Sequence, residues 1–165
     1  MSGDHYFHAG EVAAQKRWKT TAIWDKSRRA RLLLNEIPGQ FQQRIVNAPF
    51  FFLATSNGEG ACDCSFKGGG PGIIKILDSR QLVFPDFDGN GAFMSIGNIL
   101  ENPQIGLLFI DFSDGGRLRV NGVASIHEEG QTKKLFPDHS RVIHVAIEQV
   151  IPNCAAHVPN LLPGG

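Results

Sequence analysis

The sequence predicts a β-rich fold: a closed or nearly closed barrel of six to seven mainly antiparallel strands with short flanking helices. Three observations point there. Nineteen glycines and nine prolines among 165 residues divide the chain into many short elements, which suits strands and turns better than a helix bundle. From residue 50 onwards, apolar runs and alternating segments of strand length recur between turn-forming sequences. No internal repeat at a useful period competes with a single barrel.

The chain reads as one domain. Its 42% hydrophobic and 19% charged residues give a globular composition, and its length suits one core. Residues 1–47 form an N-terminal helical extension, 48–152 the barrel and 153–165 a tail. The extension holds both tryptophans (Trp18, Trp24), the only tyrosine (Tyr6) and a basic cluster at Arg28, Arg29 and Arg31. That cluster reads as a solvated helix face. Ser27 is placed to cap a helix running towards Asn35. Pro38 opens a second helix, with Phe41, Ile45 and Val46 at helical spacing and Pro49 closing it.

The strands follow in order. Phe50 to Thr55 is an apolar run, and Ser56-Asn57-Gly58-Glu59-Gly60 is a turn by composition. Cys62 to Lys67 returns as the second arm of a hairpin. Gly68-Gly69-Gly70-Pro71-Gly72 is too rich in glycine for regular structure. Ile73 to Leu77 and Gln81 to Phe84 form a second hairpin around Asp78-Ser79-Arg80. A loop from Asp86 to Gly91 leads into a short helix from Ala92 to Glu101, which ends before Pro103. Ile105 to Phe112 is apolar on both faces, as a central strand requires. Arg117 to His127 and Ser140 to Ile151 alternate, the latter with Ile143, Val145 and Ile147 on one face.

Charge and cysteine usage limit the function classes. Sixteen basic and sixteen acidic side chains cancel, which gives no reason to expect a nucleic-acid or membrane-surface partner. The longest apolar stretch, residues 48–54, is far short of a membrane span, and the first residues carry no secretory pattern. Three cysteines do not form a disulfide framework, so a reduced, cytoplasmic protein is expected. Cys62-Asp63-Cys64 lacks the spacing of a structural zinc site; with Cys154 and His157 the set stays irregular, and no metal is expected. Histidines 127, 139, 144 and 157 lie near serines and acids without any hydrolase signature.

Three segments suit an anionic ligand. In Arg117-Leu118-Arg119-Val120-Asn121-Gly122, alternation turns Leu118 and Val120 one way and Arg117, Arg119 and Asn121 the other. The two guanidinium groups then stand roughly 7 Å apart and repel unless water or an anion lies between them. Their planar forks match phosphate or carboxylate oxygens in pairs. A solvated outer face with two ordinary arginines is the competing reading. In Ser65-Phe66-Lys67-Gly68-Gly69-Gly70-Pro71-Gly72, a strand-end lysine precedes glycines whose bare backbone admits a ligand. It is no P-loop, because the lysine and hydroxyl after the last glycine are missing. In Phe84-Pro85-Asp86-Phe87-Asp88-Gly89-Asn90-Gly91, an aromatic and polar loop feeds a helix bearing Ser95, whose start adds donors.

Taken in order, a series of blocks resembles the pyridoxamine 5′-phosphate oxidase-related FMN-binding proteins. They are Phe51-Phe52-Leu53-Ala54-Thr55-Ser56, Asp63-Cys64-Ser65-Phe66-Lys67-Gly68-Gly69, the Phe84–Gly91 loop, and Ser95-Ile96-Gly97-Asn98-Ile99-Leu100-Glu101-Asn102-Pro103. Gly106-Leu107-Leu108-Phe109-Ile110-Asp111-Phe112 and the Arg117–Gly122 strand continue it, with an echo at Ile151-Pro152-Asn153-Cys154. The likeness covers roughly residues 50–126. It implies a split β-barrel, a homodimer with FMN at the subunit interface, and a small-molecule substrate. By the same resemblance, Lys67, Lys75, Ser95 and Arg119 are candidates for the phosphate. Ser65, Phe66, Asp86 and Asn90 belong by the ring or ribityl chain, and Arg117 serves the phosphate or the partner subunit. True oxidases carry a C-terminal arginine and histidine that position pyridoxal phosphate. The segment Asn153-Cys154-Ala155-Ala156-His157-Val158-Pro159 does not match that tail, so the resemblance does not extend to pyridoxamine oxidation. Deazaflavin and heme are the alternative cofactors of the same barrel. An FMN-dependent oxidoreductase using reduced nicotinamide, a non-catalytic cofactor carrier and an interaction module are the functions to be separated.

Overall fold

The computed structural model describes residues 6–87, 89–153 and 158–159. Seven strands form one antiparallel sheet: β1 Phe50–Ser56, β2 Cys62–Gly68, β3 Lys75–Asp78, β4 Gln81–Pro85, β5 Gln104–Ile110, β6 Arg117–His127 and β7 Val142–Asn153. Their order is β2-β1-β5-β6-β7-β4-β3. Strands β2 and β3 are consecutive in sequence yet stand at opposite edges, so the curled sheet is a split barrel whose seam lies between them.

The inner face is apolar for the reason the alternation gave. Phe51 and Leu53 of β1, Leu107 and Phe109 of β5, Leu118 and Val120 of β6, and Val145 and Val150 of β7 are essentially inaccessible to solvent. Phe51 is central, its ring meeting Phe84 at 5.1 Å and Phe109 at 5.8 Å. Burying each such ring contributes roughly 2–3 kcal/mol. Ile73 and Ile74 leave the β3 ladder and bury in this core instead, which is why β3 starts at Lys75 rather than Ile73.

A bulge between Asn121 and Gly122 moves the β6–β7 register by one residue, from Asn121 opposite Gln149 to Gly122 opposite Ile147. A Cβ on Gly122 would lie 2.2 Å from the Ala146 carbonyl oxygen, a backbone atom that cannot swing aside. Only glycine fits there.

The helices differ more from expectation than the strands. Helix α1, Ala9–Arg17, has no counterpart in the sequence reading; it is held by a capping box in which His8 Nδ1 accepts from Gly10 and Glu11 while Glu11 accepts from the His8 N–H at 2.9 Å. A single 3-10 turn, Thr21–Ile23, leads to α2, Lys26–Leu32. The α2 cap is Asp25, not Ser27: its carboxylate accepts from the Arg28 N–H at 2.7 Å, a stronger charge-assisted bond than a hydroxyl offers. Helix α3, Gly39–Val46, follows Pro38 as expected and buries Ile45. Helix α4 is Met94–Glu101, two residues later than expected, because Phe93 takes a left-handed conformation at φ 50°. A fifth, short helix, α5 Gly130–Lys134, lies between β6 and β7. With Leu135 and Phe136 it covers Val83 and Val142 on the outside of the barrel.

Candidate cofactor site

Register decides what β2 offers on each side. Residues directly paired across an antiparallel ladder share a face. Ser65 pairs with Leu53 and Lys67 with Phe51, so both point to the inner side. Cys64 and Phe66 pair with Ala54 and Phe52 and point out. Because β2 is an edge strand, its inner side is not closed by another strand, and a cleft opens there.

Helix α4 forms the opposite wall. Asn98 Nδ2 donates to Thr55 Oγ1 at 2.9 Å, Asn102 Nδ2 to Ser56 Oγ at 2.8 Å, and the Gly58 N–H donates to Glu101 at 3.0 Å. These bonds tie the helix to the end of β1 and bring its first turn against β2. There the Ser65 and Ser95 hydroxyls meet at 3.2 Å. No side chain caps α4, so the N–H groups of its first turn are not claimed by one, and the positive end of the helix lies beside the half-buried Lys67. The cleft measures about 250 Å³ and is completed by Asp63, Phe87, Asn90 and Phe93. An ammonium, two hydroxyls and an uncapped helix start form a donor set for a phosphate or another compact anion.

Asp86 lines the same cleft, but its carboxylate is held. Arg141 Nε donates to it at 2.8 Å, and the Asp86 N–H donates to the Arg141 carbonyl at 2.9 Å. The Arg141 guanidinium also lies 4.8 Å from the centre of the Phe93 ring. One arginine of β7's approach thus fixes both ends of the loop that roofs the cleft. Asn90 turns that loop, its side-chain oxygen accepting from the Ala92 N–H at 3.0 Å.

Five of the nine predicted residues therefore meet: Ser65, Lys67, Asp86, Asn90 and Ser95. The other four stand elsewhere. Phe66 is on the outer face, 62% exposed and stacked on Phe50 at 5.2 Å. Arg119 is also outward, donating from Nε to Asn153 Oδ1 at 3.1 Å beside an apolar groove of about 480 Å³ that includes Phe52, Ala54, Cys64 and Leu108. Arg117 is two residues before it on β6, opposite Ile110 and Asn153. Lys75 lies under α5, its ammonium donating to the Leu135 carbonyl and resting 4.4 Å from the Phe136 ring centre. The sequence reading missed Asp63, Phe93 and Arg141. Asp63 was within reach of it, since it alternates with Ser65 and Lys67.

A family model described as pyridoxamine 5′-phosphate oxidase matches residues 37–156. The chain belongs to that family. The match takes in all seven strands and every cleft residue, and leaves α1 and α2 outside it. Proteins of this family are commonly dimeric. A comparison with curated proteins gives no match. Among solved structures, a putative pyridoxamine 5′-phosphate oxidase from Lactobacillus delbrueckii is 22% identical with a TM-score of 0.57, over 72% of this chain and 95% of that one. A variant of HupZ from Group A Streptococcus is 21% identical with a TM-score of 0.56, over 71% and 99%. An FMN-binding protein from Syntrophomonas wolfei is 12% identical with a TM-score of 0.52, over 87% and 97%. At these identities the likeness establishes the fold.

Cys62 and Cys64 are free, exposed thiols on the outer face of β2; Cys154 and His157 lie outside the described residues. Among the described residues no helix is long and apolar enough to cross a membrane, and no three His, Cys, Asp or Glu side chains gather as a metal site.

Proposed function

We propose that this protein is an FMN-dependent oxidoreductase that moves hydride or electrons between a reduced nicotinamide and a small acceptor. The observation that carries the reading is the convergence of Lys67, the Ser65–Ser95 hydroxyl pair and the uncapped start of α4 on one cleft. Lys67 neutralises the charge of the FMN phosphate. Ser65, Ser95 and the first-turn N–H groups of α4 donate to its oxygens. Phe87 and Phe93 supply apolar walls that keep water from the ribityl and ring side. The bound flavin supplies the redox chemistry, and the chain binds and orients it.

Among the described residues no histidine or cysteine lines the cleft; its carboxylates are Asp63 and Asp86, and Asp86 is engaged by Arg141. That set suits cofactor-borne chemistry better than acid–base catalysis by the protein, and it disfavours heme, which needs an axial ligand.

A cleft of about 250 Å³ is smaller than the ~300–1,000 Å³ of sites that enclose a whole ligand. A second subunit completes it in this reading. The apolar groove of Phe52, Ala54 and Leu108 is the surface for that contact, and Arg117 and Arg119 approach the cofactor from the partner side. The exposed thiols of Cys62 and Cys64 suit a reducing compartment, so the proposed location is cytoplasmic.

The test is the absorbance spectrum of freshly purified protein, with mass analysis of what heat releases, followed by nicotinamide oxidation with flavin-loaded protein. Flavin bands, a released FMN mass and nicotinamide consumption are expected. Tight FMN binding without turnover with any acceptor makes the protein a carrier instead. A colourless protein that takes up no added FMN overturns the reading altogether.

A further inference from the structure

The balanced net charge conceals a strongly uneven distribution. Residues 6–32 carry seven basic side chains against two acidic ones, Glu11 and Asp25, a net of +5, and the rest of the chain is correspondingly acidic. This segment also lies outside the family match, which begins at residue 37. None of its residues is buried, although it is folded as α1, the 3-10 turn and α2.

The corner between α1 and α2 concentrates both charge and apolar surface. Lys16, Arg17 and Lys19 are all exposed there, with four more cations on α2. Trp18 is 66% and Ile23 50% exposed within the same eight residues, two of the larger apolar side chains left in water. Arg17 lies 5.2 Å from the Trp18 ring centre, so the indole and a cation are presented together.

Lys19 adds an independent sign. Its φ is 58°, in the left-handed region, just after the end of α1. Glycine is the unstrained residue at that position of a helix terminus. The chain instead holds a lysine at the apex of the corner, where backbone strain delivers a cation.

We propose that this corner docks on an anionic lipid surface. Tryptophan and isoleucine beside clustered lysines and arginines match the boundary between acyl chains and acidic headgroups. Nucleic acid suits the cations equally, but Ile23 offers nothing to a base or a phosphate, whereas acyl chains accommodate it. The contact is peripheral and rests on charge as well as apolar insertion, so salt weakens it. It is independent of the cofactor cleft.

The experiment is cosedimentation of the full-length protein with vesicles of phosphatidylcholine alone and of phosphatidylcholine mixed with phosphatidylglycerol. Binding to the mixed vesicles only is expected, falling as salt is raised, with a blue shift of tryptophan emission that Trp18→Ala removes. Lys19→Gly relieves the strained backbone, so its thermal midpoint should equal or exceed that of the parent protein while its partition coefficient falls about fivefold. Replacing Lys16, Arg17 and Lys19 together with alanine should lower partitioning roughly a hundredfold. Equal binding to neutral vesicles, or unchanged partitioning of Lys19→Gly, would overturn the proposal. So would preferential binding of a single-stranded RNA oligonucleotide, or dissociation of an oligomer by the triple replacement, which would assign the corner to RNA or to a second copy of the chain.

Discussion

Lys67 lies on the inner face because it is opposite Phe51, and Phe66 lies on the outer face because it is opposite Phe52. A one-residue slip of β2 would exchange them. Ser65, Lys67 and Ser95 were reached through the family resemblance, and only Lys67, a strand-end lysine before glycines, and Ser95, on a helix fed by a loop, also carried a local mark. Arg141 was not legible, since nothing within fifty residues marks it as the partner of Asp86. Arg141→Ala leaves the Asp86 carboxylate, 8% exposed, without this donor inside the loop. The change should cost about 3 kcal/mol, read as a lower urea midpoint, and should loosen the cleft roof. Gly122→Ala meets a carbonyl oxygen of the neighbouring strand, and about 1–3 kcal/mol of destabilisation is expected in the same assay. A midpoint unchanged from the parent would mean that the bulge relaxes freely.

Among the elements, all seven strands were anticipated, and so were α2, α3 and α4 to within about three residues, but α1 and α5 were not. All seven strands announce themselves by alternation or by apolar runs between turns. Helix α1 does not, because it buries nothing and shows no apolar stripe; its start is marked by a histidine cap in place of the usual serine, threonine or aspartate. The β5–β6 turn shows how polar contacts finish an element. Arg44 of α3 holds both oxygens of Asp114, at 3.1 and 2.7 Å, and the Gly116 N–H donates to the same carboxylate. The Arg44 bond and that N–H hold the Asp114 carboxyl down at about 2. Its contribution is present above the ordinary aspartate range and is lost as pH falls towards 2.

A second pH effect belongs to the neighbouring strands β4, β6 and β7. His144 Nε2–H donates to Gln81 Oε1 at 2.8 Å, and its ring is 5.8 Å from that of His127. Burial, and then the His127 charge, push its pKa down, against a weaker opposing pull from Asp78. An unfolded chain therefore takes up this proton first as pH falls through about 6.5, and stability declines below that pH. His144→Gln should flatten the fall in urea midpoint between about pH 7.5 and 5. An identical slope in the variant would assign the acid sensitivity to other groups.

For the whole molecule, the barrel was foreseeable but the seam was not. Pairings such as β1 with β5 and β4 with β7 join segments far apart in sequence, and local pattern carries no trace of them. The seam divides the predicted site: the sequence offered three anion-compatible segments, and the curled sheet brings two of them into one cleft and turns the arginine strand to the outer groove. Only in the proposed dimer would that outward strand reach the same site, from the partner side.

The central claim is that the β2–α4 cleft binds the phosphate of FMN. Titration of FMN fluorescence against the parent protein and Lys67→Ala tests it most directly. Quenching by the parent protein is predicted, with affinity reduced by about tenfold or more in Lys67→Ala, as loss of a charge-assisted bond of ~1.5–3 kcal/mol requires. No binding by the parent, or equal affinity in the variant, would contradict the account.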